Sequence, residues 1–168
     1  MDNLIAIRKG GDVKRFHTVT MLREHLVSSH SWGVATLVQD IHPDCTKNLI
    51  LAALYHDVAE HITGDVSAVT KWRYPELKEA LGKVETAVEK DLGIGIDLSD
   101  HESMILKFAD MADLVLCSVK EYSLGNREAL EIIRRGITYL EDRTWTVECR
   151  MYLPKIKRYV EEFCNGSK

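Results

Sequence analysis

The strongest constraint on the fold of this chain is one long helical pattern that lacks a continuous polar face. It begins at Ser99-Asp100-His101-Glu102, a capping box in which the serine and the glutamate satisfy free backbone amides at a helix start. The pattern continues to about residue 122 and is apolar on nearly every face, apart from two aspartates. The segment therefore predicts a long apolar helix and favours a helical fold.

Five further segments show helical spacing or helix-boundary residues, and no run of alternating apolar and polar residues competes with them as a strand. They are residues 30–41, 46–57, 75–92, 126–140 and 145–163. The sequence therefore predicts an all-α bundle of about six helices joined by short loops.

Capping residues support the first two of these segments. Ser28 or Ser29 can cap the helix that begins near residue 30, and Thr46 can cap the one after it. Residues 49–54 of that second helix are apolar on every side, which predicts that they are buried all round.

Proline and glycine mark boundaries of the later segments. Pro75 suits the first turn of a helix, and Gly93-Ile94-Gly95 is expected to end that helix near residue 92. Pro154 lies inside the last segment and should kink or interrupt it, because proline lacks the backbone N–H that an interior position needs.

Length and composition limit the classes of protein to which the chain can belong. Its 168 residues predict a single domain over residues 1–168. The 22 Lys and Arg residues against 26 Asp and Glu give a net charge of −4, which argues against a dedicated nucleic-acid-binding protein. With 45% hydrophobic residues the chain is not a disordered one, and no apolar stretch approaches the roughly 18 residues of a membrane span.

The compartment is predicted from the N-terminus and the cysteines. Residues 1–8 lack the long apolar region and the small-residue cleavage site of a secretory signal, so we expect an intracellular, cytoplasmic protein. The cysteines form no CxxC pair and are far apart, which disfavours a zinc finger or a disulfide framework. Free thiols are therefore expected at Cys45, Cys117, Cys149 and Cys164.

Three places on these helices carry polar groups that an apolar helix would normally exclude. The first is His56-Asp57 at the end of an apolar segment, where an ionised aspartate costs several kcal/mol unless it is paired or bound to a cation. A metal ion would remove that cost, and so would backbone groups together with a nearby arginine. The second is His30 at the start of another helix, which is either a ligand or a satisfied surface or core residue.

The third place holds Asp110 and Asp113, the two carboxylates within the long apolar helix. Because they are three residues apart, they share roughly one side of that helix. Helical geometry does not choose between them, and either can bind a cation or pair with an Arg or Lys. The residues alone therefore leave the ligand on this helix open.

The order of these groups along three apolar helices resembles the HD-domain phosphohydrolase superfamily, over about residues 13 to 122. The resemblance implies a helical fold and one divalent metal ion of the Mn, Co, Mg or Zn class. By the local pattern Lys-x-Ala-Asp, it selects the first aspartate of the long helix. The implied ligands are His30, His56, Asp57 and Asp110.

Within the superfamily, the sequence is most similar to the bacterial and phage 5'-deoxynucleotidases of the YfbR type. The run from His56 to Asp65, His-Asp-Val-Ala-Glu-His-Ile-Thr-Gly-Asp, matches their HDxxExxTGD loop. Arg15-Phe16 stands where they have Arg-Trp, and His30-Ser31-Trp32 matches the segment of their first ligand. Two positions depart from the pattern, because the acidic residue before the first ligand is Ser29 and the tryptophan is Phe16.

Two residues of this loop are assigned catalytic roles. Glu60 lies three residues beyond Asp57, near enough to reach the site without necessarily being a ligand, and is assigned water positioning and proton transfer. Its alternative role is a solvated carboxylate at a helix end. Asp65 is assigned orientation of the leaving oxygen or the sugar 3'-hydroxyl, and its alternative is to stabilise the turn.

Four more residues are expected to bind substrate. Arg15 has the guanidinium geometry that clamps phosphate, and Lys71 adds a point charge. Phe16 either stacks on the sugar or base or belongs to the core. Thr63, in the matching loop, completes the set.

The resemblance therefore implies a metal-dependent phosphohydrolase that cleaves the 5'-phosphoester of 2'-deoxynucleotides. Bacterial members of the family resemble a monophosphatase and short phage members resemble a dATP triphosphohydrolase of the DatZ type, and we give the two equal weight. A homo-oligomer is expected, in the cytoplasm or in the host cytoplasm if a phage encodes the chain, without a membrane or nucleic-acid partner. The alternative is a noncatalytic HD module that binds metal or nucleotide as a sensor.

Overall fold

The computed structural model describes residues 3–165, apart from the side chains of Val69, Trp72 and Asn165. This part of the chain contains helices and no β-strand, which confirms the predicted all-α fold. The helices are α1 (Asn3–Gly11), α2 (Val27–Ile41), α3 (Lys47–Tyr55), α4 (Glu60–Thr63), α5 (Ala68–Arg73), α6 (Pro75–Leu92), α7 (Asp100–Ser123), α8 (Ala129–Glu141) and α9 (Val147–Asn165).

The six segments that the sequence predicts all form helices, namely α2, α3 and α6 to α9. The structure adds three short helices that carry little helical pattern. α4 has four residues and α5 has six, and helical spacing becomes visible only over longer windows. α1 has nine residues and ends in two glycines, which disfavour a helix.

Local signals locate three helix ends correctly. The Thr46 hydroxyl accepts a hydrogen bond from the amide of Leu49 at 3.1 Å at the start of α3. Ser99 and Glu102 form both bonds of the capping box at the start of α7. Gly93 ends α6 with a φ of 67°, a backbone conformation that glycine adopts without a steric cost.

Two predictions about α2 and α3 are wrong. α2 begins at Val27, so Ser28 and Ser29 lie inside its first turn, and the Ser29 hydroxyl donates to the Leu26 carbonyl at 2.8 Å. In α3, Leu54 is 36% exposed. This helix packs against α2 and α7, but its apolar residues are not buried all round.

The interruption predicted at Pro154 does not occur, because α9 runs through this residue. A proline in a helix leaves the carbonyl four residues earlier without its N–H partner. Arg150, which carries that carbonyl, and Pro154 are both exposed. Water can therefore satisfy the carbonyl on the outer side of α9.

α7 is the centre of the core and positions the polar groups. It packs against α2, α3, α8 and α9, and several of its side chains have no exposed surface: Phe108, Ala109, Ala112 and Val115. Asp110 and Asp113 both lie on the side of α7 that meets His30 of α2. The polar side of this apolar helix therefore faces the start of α2.

The remaining expectations concern cysteines, membrane spans and domain limits. All four cysteines are free thiols, as expected. Among the described residues, no helix is long and apolar enough to cross a membrane. The single domain over residues 1–168 stays a prediction, and residues 1, 2 and 166–168 lie outside the described part of the chain.

Candidate active site

Two histidine rings from different helices meet at the polar side of α7. His30 lies in the first turns of α2 and His56 directly after α3, and their Nε2 atoms are 3.2 Å apart. Nδ1–H of His56 donates to the Ala53 carbonyl at 3.0 Å, and Nδ1–H of His30 donates to the Asp113 carboxylate at 2.7 Å. Since each Nδ1 is occupied by a partner, each Nε2 is directed to one shared point.

Two carboxylates complete this cluster. Asp110 Oδ1 is 3.2 Å from His30 Nε2. Asp57 Oδ2 is 3.6 Å from the same nitrogen and 3.4 Å from His56 Nε2. One ligand atom each from His30, His56 and Asp110 lie within 4.8 Å of one another. The structure therefore brings the four predicted ligands together.

The geometry distinguishes Asp110 from Asp113 as the candidate metal ligand of α7. The residues alone do not choose between them. Asp110 reaches Nε2 of His30, on the side of the ring that faces His56. Asp113 reaches Nδ1, on the opposite side of the ring. Asp110 therefore belongs to the cluster, and Asp113 lies behind it.

The charges of the cluster shift its pKa values in opposite directions. Burial alone would lower the pKa of His30, but its bonds to Asp110 and Asp113 raise it to about 9. Desolvation alone would raise the pKa of Asp110, but the bond from His30 and the charge of His56 hold it well below its usual range. At neutral pH the metal-free cluster pairs a protonated imidazole with a carboxylate, and an ion that binds His30 Nε2 has to displace that proton.

Arg15 closes one side of the cluster. It follows Lys14, which forms a single antiparallel β-bridge with Leu26. Its guanidinium donates to Asp57 Oδ2 at 2.7 Å. Burial would lower the pKa of Arg15, but the charges of Asp57 and Asp110 outweigh this and raise it. A fixed guanidinium beside the candidate ligands is suited to binding the oxygens of a phosphate.

Glu60, the first residue of α4, is a buried acid beside the cluster. It is 5% exposed, and its Oε2 finds no hydrogen-bond partner among the described residues. Burial, followed by the charges of Asp57 and Asp65, raises the pKa of Glu60 to about 8. It is therefore not a solvated carboxylate, and a strongly shifted acid next to a ligand cluster is typical of proton-transfer groups.

Glu60→Gln should stabilise the metal-free protein at alkaline pH. The pKa of Glu60 is about 8 in the folded protein against an ordinary value of 4.5, so its contribution to stability is complete below pH 4.5 and is lost as pH rises through 8. The neutral amide has no such loss. At pH 9, we expect denaturant unfolding to give a free energy of unfolding for the variant that is higher than that of the wild type, by an amount on the order of a few kcal/mol. A difference that stays the same between pH 4 and pH 9 would contradict the raised pKa.

Asp65 holds the backbone of the segment that carries Arg15. The amide of Phe16 donates to Asp65 Oδ2 at 3.1 Å. Phe16 has a φ of 59°, and no other non-glycine residue in the described part of the chain has a positive φ. An L-residue adopts this conformation only under constraint. The bond to Asp65 supplies this constraint, and it fixes the directions of the Arg15 and Phe16 side chains.

The other two predicted substrate residues have different surroundings. Lys71, in α5, places its Nζ 4.0 Å from Glu60 Oε1 and 4.0 Å from Glu85 Oε1. Thr63 ends α4, and its hydroxyl donates to the Gly64 carbonyl at 3.1 Å. The structure therefore connects Lys71 to the cluster through Glu60, and it gives Thr63 a bond within its own turn.

A cleft of about 410 Å³ opens beside His30. Arg15 and His30 line it together with three aromatic rings, those of Phe16, Trp32 and Tyr159. Its volume is in the range of small-molecule sites, and aromatic walls with a few polar groups are typical of them. Two predicted substrate residues and one candidate ligand thus share a cleft.

A second polar cluster, which we did not predict from the sequence, is centred on Glu121 of α7. This side chain has no exposed surface. Its carboxylate accepts from the amide of Leu22 at 2.7 Å and from Asn126 Nδ2 at 3.2 Å, and it contacts His25 Nε2 at 3.0 Å. These bonds attach the segment between α1 and α2, which carries Arg15, to the central helix.

A signal for this cluster is present in the sequence. Asp113, Cys117 and Glu121 follow one another at intervals of four residues, which places them on one side of α7. The free thiol of Cys117 lies on this side of α7, and its Sγ is 3.0 Å from Nδ1 of His25. A polar stripe on an otherwise apolar helix thus marks both clusters.

A family profile described as "5'-deoxynucleotidase YfbR-like" matches residues 4–164. The chain belongs to this family. The match includes both histidines, both candidate aspartates, Arg15 and Glu60, and it confirms the resemblance that the HDxxExxTGD loop indicates.

Two proteins named 5'-deoxynucleotidases align with most of this YfbR-like chain. The 5'-deoxynucleotidase VP0926 of Vibrio parahaemolyticus is 30% identical over 161 residues, which cover 81% of this chain and 83% of that protein. The 5'-deoxynucleotidase VV1113 of Vibrio vulnificus is 28% identical over 158 residues, with coverage of 79% and 81%.

Two solved structures share the fold of this YfbR-like chain. The HD phosphohydrolase DatZ of cyanophage S-2L has a TM-score of 0.71 at 22% identity, and the match covers 94% of this chain and 96% of DatZ. The HD-domain phosphohydrolase lin2634 of Listeria innocua has a TM-score of 0.78 at 22% identity, with coverage of 94% and 87%. At this identity, the likeness concerns the fold.

The donor set of this YfbR-like chain fits one divalent ion. It offers two imidazole nitrogens and two carboxylate oxygens, a mixture that suits zinc, manganese or cobalt. The partner on each Nδ1 fixes which nitrogen faces the ion. The residues that would hold it are His30, His56, Asp57 and Asp110.

Proposed function

We propose that this chain is a metal-dependent phosphohydrolase that cleaves the 5'-phosphoester of 2'-deoxynucleotides. The observation that carries the proposal is the meeting of two imidazoles and two carboxylates at one point, beside the buried acid Glu60. Buried charges and an unpaired carboxyl oxygen are costly in a purely structural bundle. A bound cation and a phosphate substrate would compensate that cost.

The activities for which related proteins are named support the substrate class. The two Vibrio proteins are named 5'-deoxynucleotidases. DatZ is described as bound to dA and one catalytic Zn²⁺ ion. For this chain, these names support a deoxynucleoside as the recognised group and a divalent ion of the Mn, Co, Mg or Zn class.

Each side chain around the cluster has a chemical task in this proposal. A divalent ion would supply a water of lowered pKa and would shield the charge on the phosphoryl group. Arg15 binds phosphate oxygens through its fork of N–H donors, and Lys71 adds positive charge. Glu60 takes a proton from the attacking water and returns it to the departing 5'-oxygen, because its pKa lies near neutrality.

The remaining predicted roles depend on the bound substrate. Asp65 keeps Phe16, and with it Arg15, in position through the backbone bond. Its further role toward the leaving oxygen or the sugar 3'-hydroxyl stays a prediction, and so does the contact of Thr63 with substrate.

Product analysis tests the proposal. The protein is incubated with dAMP and dATP in the presence of Mn, Co, Mg or Zn, and the products are separated by chromatography. We expect deoxyadenosine from a deoxynucleotide, together with phosphate or triphosphate. Nucleotide binding without any product, whichever ion is added, would instead support the noncatalytic sensor.

The charge distribution favours dATP over dAMP as the substrate. Lys107 lies one turn before Asp110 on α7, and burial together with the nearby charge of Lys78 lowers its pKa. Arg143 adds to this positive group. In the described part of the chain, none of these three cations forms an ion pair. Unpaired positive charge close to the cluster suits the additional phosphates of a triphosphate, so we expect a higher kcat/KM for dATP. A higher value for dAMP would contradict this preference.

Phe16→Ala should narrow the preference for deoxynucleotides over ribonucleotides. An aromatic wall at the sugar leaves a ribose 2'-hydroxyl without a hydrogen-bond partner, which costs about 1–3 kcal/mol, or roughly ten- to a hundred-fold in kcat/KM. Phe16 lines the cleft, and its backbone is held by Asp65, so truncation removes the ring while the turn keeps its bond. The ratio of kcat/KM for dAMP and AMP, and for dATP and ATP, measures the effect.

Arg15→Ala is the control for this substitution. Arg15 contacts phosphate in either substrate class, so its loss should weaken deoxy- and ribonucleotides alike and leave their ratio unchanged. A deoxy-to-ribo ratio that stays the same in Phe16→Ala would remove Phe16 from the sugar pocket.

The assembly and location of the protein stay predictions. They comprise a homo-oligomer, a cytoplasmic location, and the absence of membrane and nucleic-acid partners. Measurement of the solution mass by light scattering decides the first of them.

A further inference from the structure

His30 depends on a distant residue for the orientation of its ring. Its Nδ1–H donates to Asp113 Oδ2 at 2.7 Å, and both side chains are largely buried, at 4% and 19% exposure. The sequence neighbour Ser29 is exposed, and its hydroxyl donates to the Leu26 carbonyl instead. The bond from α7 therefore fixes the ring, and the residue preceding His30 does not.

Gly33 provides the space that this bond requires. It lies one turn after His30 on α2, where α2 packs against α7. A Cβ atom built at Gly33 would lie 2.1 Å from Asp113 Oδ1 and 2.9 Å from its Cγ. The carboxylate therefore occupies the position of the missing side chain, and any other residue at position 33 would displace it.

The two histidines of the cluster are held by different means. His56 donates to the carbonyl of Ala53, three residues earlier in its own helix. The partner of His30 is 83 residues away in sequence. The direction of His30 Nε2 therefore depends on the packing of α2 against α7 at the one point where Gly33 allows close approach.

We propose that Asp113 is a positioning residue for His30, and that Gly33 is required because it leaves room for the Asp113 carboxylate. The pair keeps the proton on Nδ1 and directs Nε2 to the ion. This inference rests on the proposed metal function. It adds Asp113 and Gly33 to the residues on which the site depends. Neither of these two residues contacts the ion.

The test compares zinc affinity in four proteins: the wild type, Asp113→Ala, Gly33→Ala and the control Gly82→Ala. Gly82 also lies in a helix, but a Cβ there meets no atom within 4 Å. Zinc dissociation constants are measured by competition with a chromophoric chelator. We expect affinity to fall about 10- to 100-fold in the first two variants, as for other outer partners of metal-bound histidine, and to stay unchanged in Gly82→Ala.

Thermal unfolding separates this effect from loss of structure. Alanine favours a helix more than glycine does, and the Asp113 side chain can rotate away from a new methyl group. Gly33→Ala should therefore melt no lower than the wild type in the metal-free state, while its zinc affinity falls. Asp113→Asn, whose side-chain oxygen still accepts a bond, should recover most of the affinity lost in Asp113→Ala.

The Nδ1–H proton of His30 gives a readout that does not depend on the ion. In NMR spectra of the wild type, it should appear as a slowly exchanging, downfield resonance, and it should be lost or shifted in Asp113→Ala and Gly33→Ala. Wild-type zinc affinity in both variants, or persistence of this resonance, would overturn the proposal. A wild-type protein that binds no metal would instead refute the proposed function, and the resonance would still decide the contact.

Discussion

Asp110→Ala is expected to fold normally and to bind no metal at concentrations that saturate the wild type. Asp110 is the aspartate of α7 that faces His30 Nε2, at 3.2 Å. One ligand atom each from Asp110, His30 and His56 lie within 4.8 Å of one another. Loss of an outer partner of a metal ligand already costs about 10- to 100-fold in affinity, so loss of a ligand should exceed a hundred-fold. Hydrolysis should fall to background with the metal.

Metal analysis after gel filtration measures this loss, and circular dichroism checks the fold. Asp91→Ala is the matched control, because Asp91 is an exposed aspartate near the end of α6, where a negative charge does not favour a helix. The control should keep wild-type metal content and activity. Full metal content in Asp110→Ala would show that the ion is held elsewhere.

Glu60→Ala should keep the metal and the substrate but lose most of the turnover. The side chain is buried beside the cluster with one oxygen unpartnered in the described structure, and its raised pKa suits proton exchange near neutrality. Removal of a general acid or base lowers kcat by about 10²–10⁴. We therefore expect that fall in kcat, with a substrate dissociation constant within a few-fold of the wild type.

The isosteric variant Glu60→Gln separates proton transfer from packing. It fills the same space but cannot take a proton, so its kcat should be as low as that of Glu60→Ala. Wild-type kcat in Glu60→Gln would contradict the catalytic role, and loss of the metal from both variants would make Glu60 a ligand instead.

Local chemistry in the sequence predicted helix ends well when the partner was a few residues away. The capping box at Ser99 and Glu102 is such a case. The helix cap predicted at Ser28 or Ser29 does not form, because a contact with a residue distant in sequence sets the start of α2. The amide of Val27, the first residue of α2, donates to the Val13 carbonyl at 3.0 Å, so a tertiary contact determines where α2 starts.

The same distinction holds for the site. His56, Asp57 and Glu60 lie within five residues of one another, so their spacing was enough to indicate a shared site. The choice between Asp110 and Asp113 required the register of α7 against α2, which helical periodicity does not contain. The pairing of Glu121 with a histidine 96 residues away could not be predicted for the same reason.

Metal dependence of the hydrolysis is tested by a titration of metal-free protein with a divalent ion, in which bound metal and deoxynucleotide hydrolysis are measured on the same samples. We expect no hydrolysis after removal of the metal. Activity should return in proportion to bound ion and saturate at one ion per chain. Full hydrolysis in a sample that contains no metal would contradict the proposed function. The absence of hydrolysis at full occupancy with Mn, Co, Mg or Zn would also contradict it.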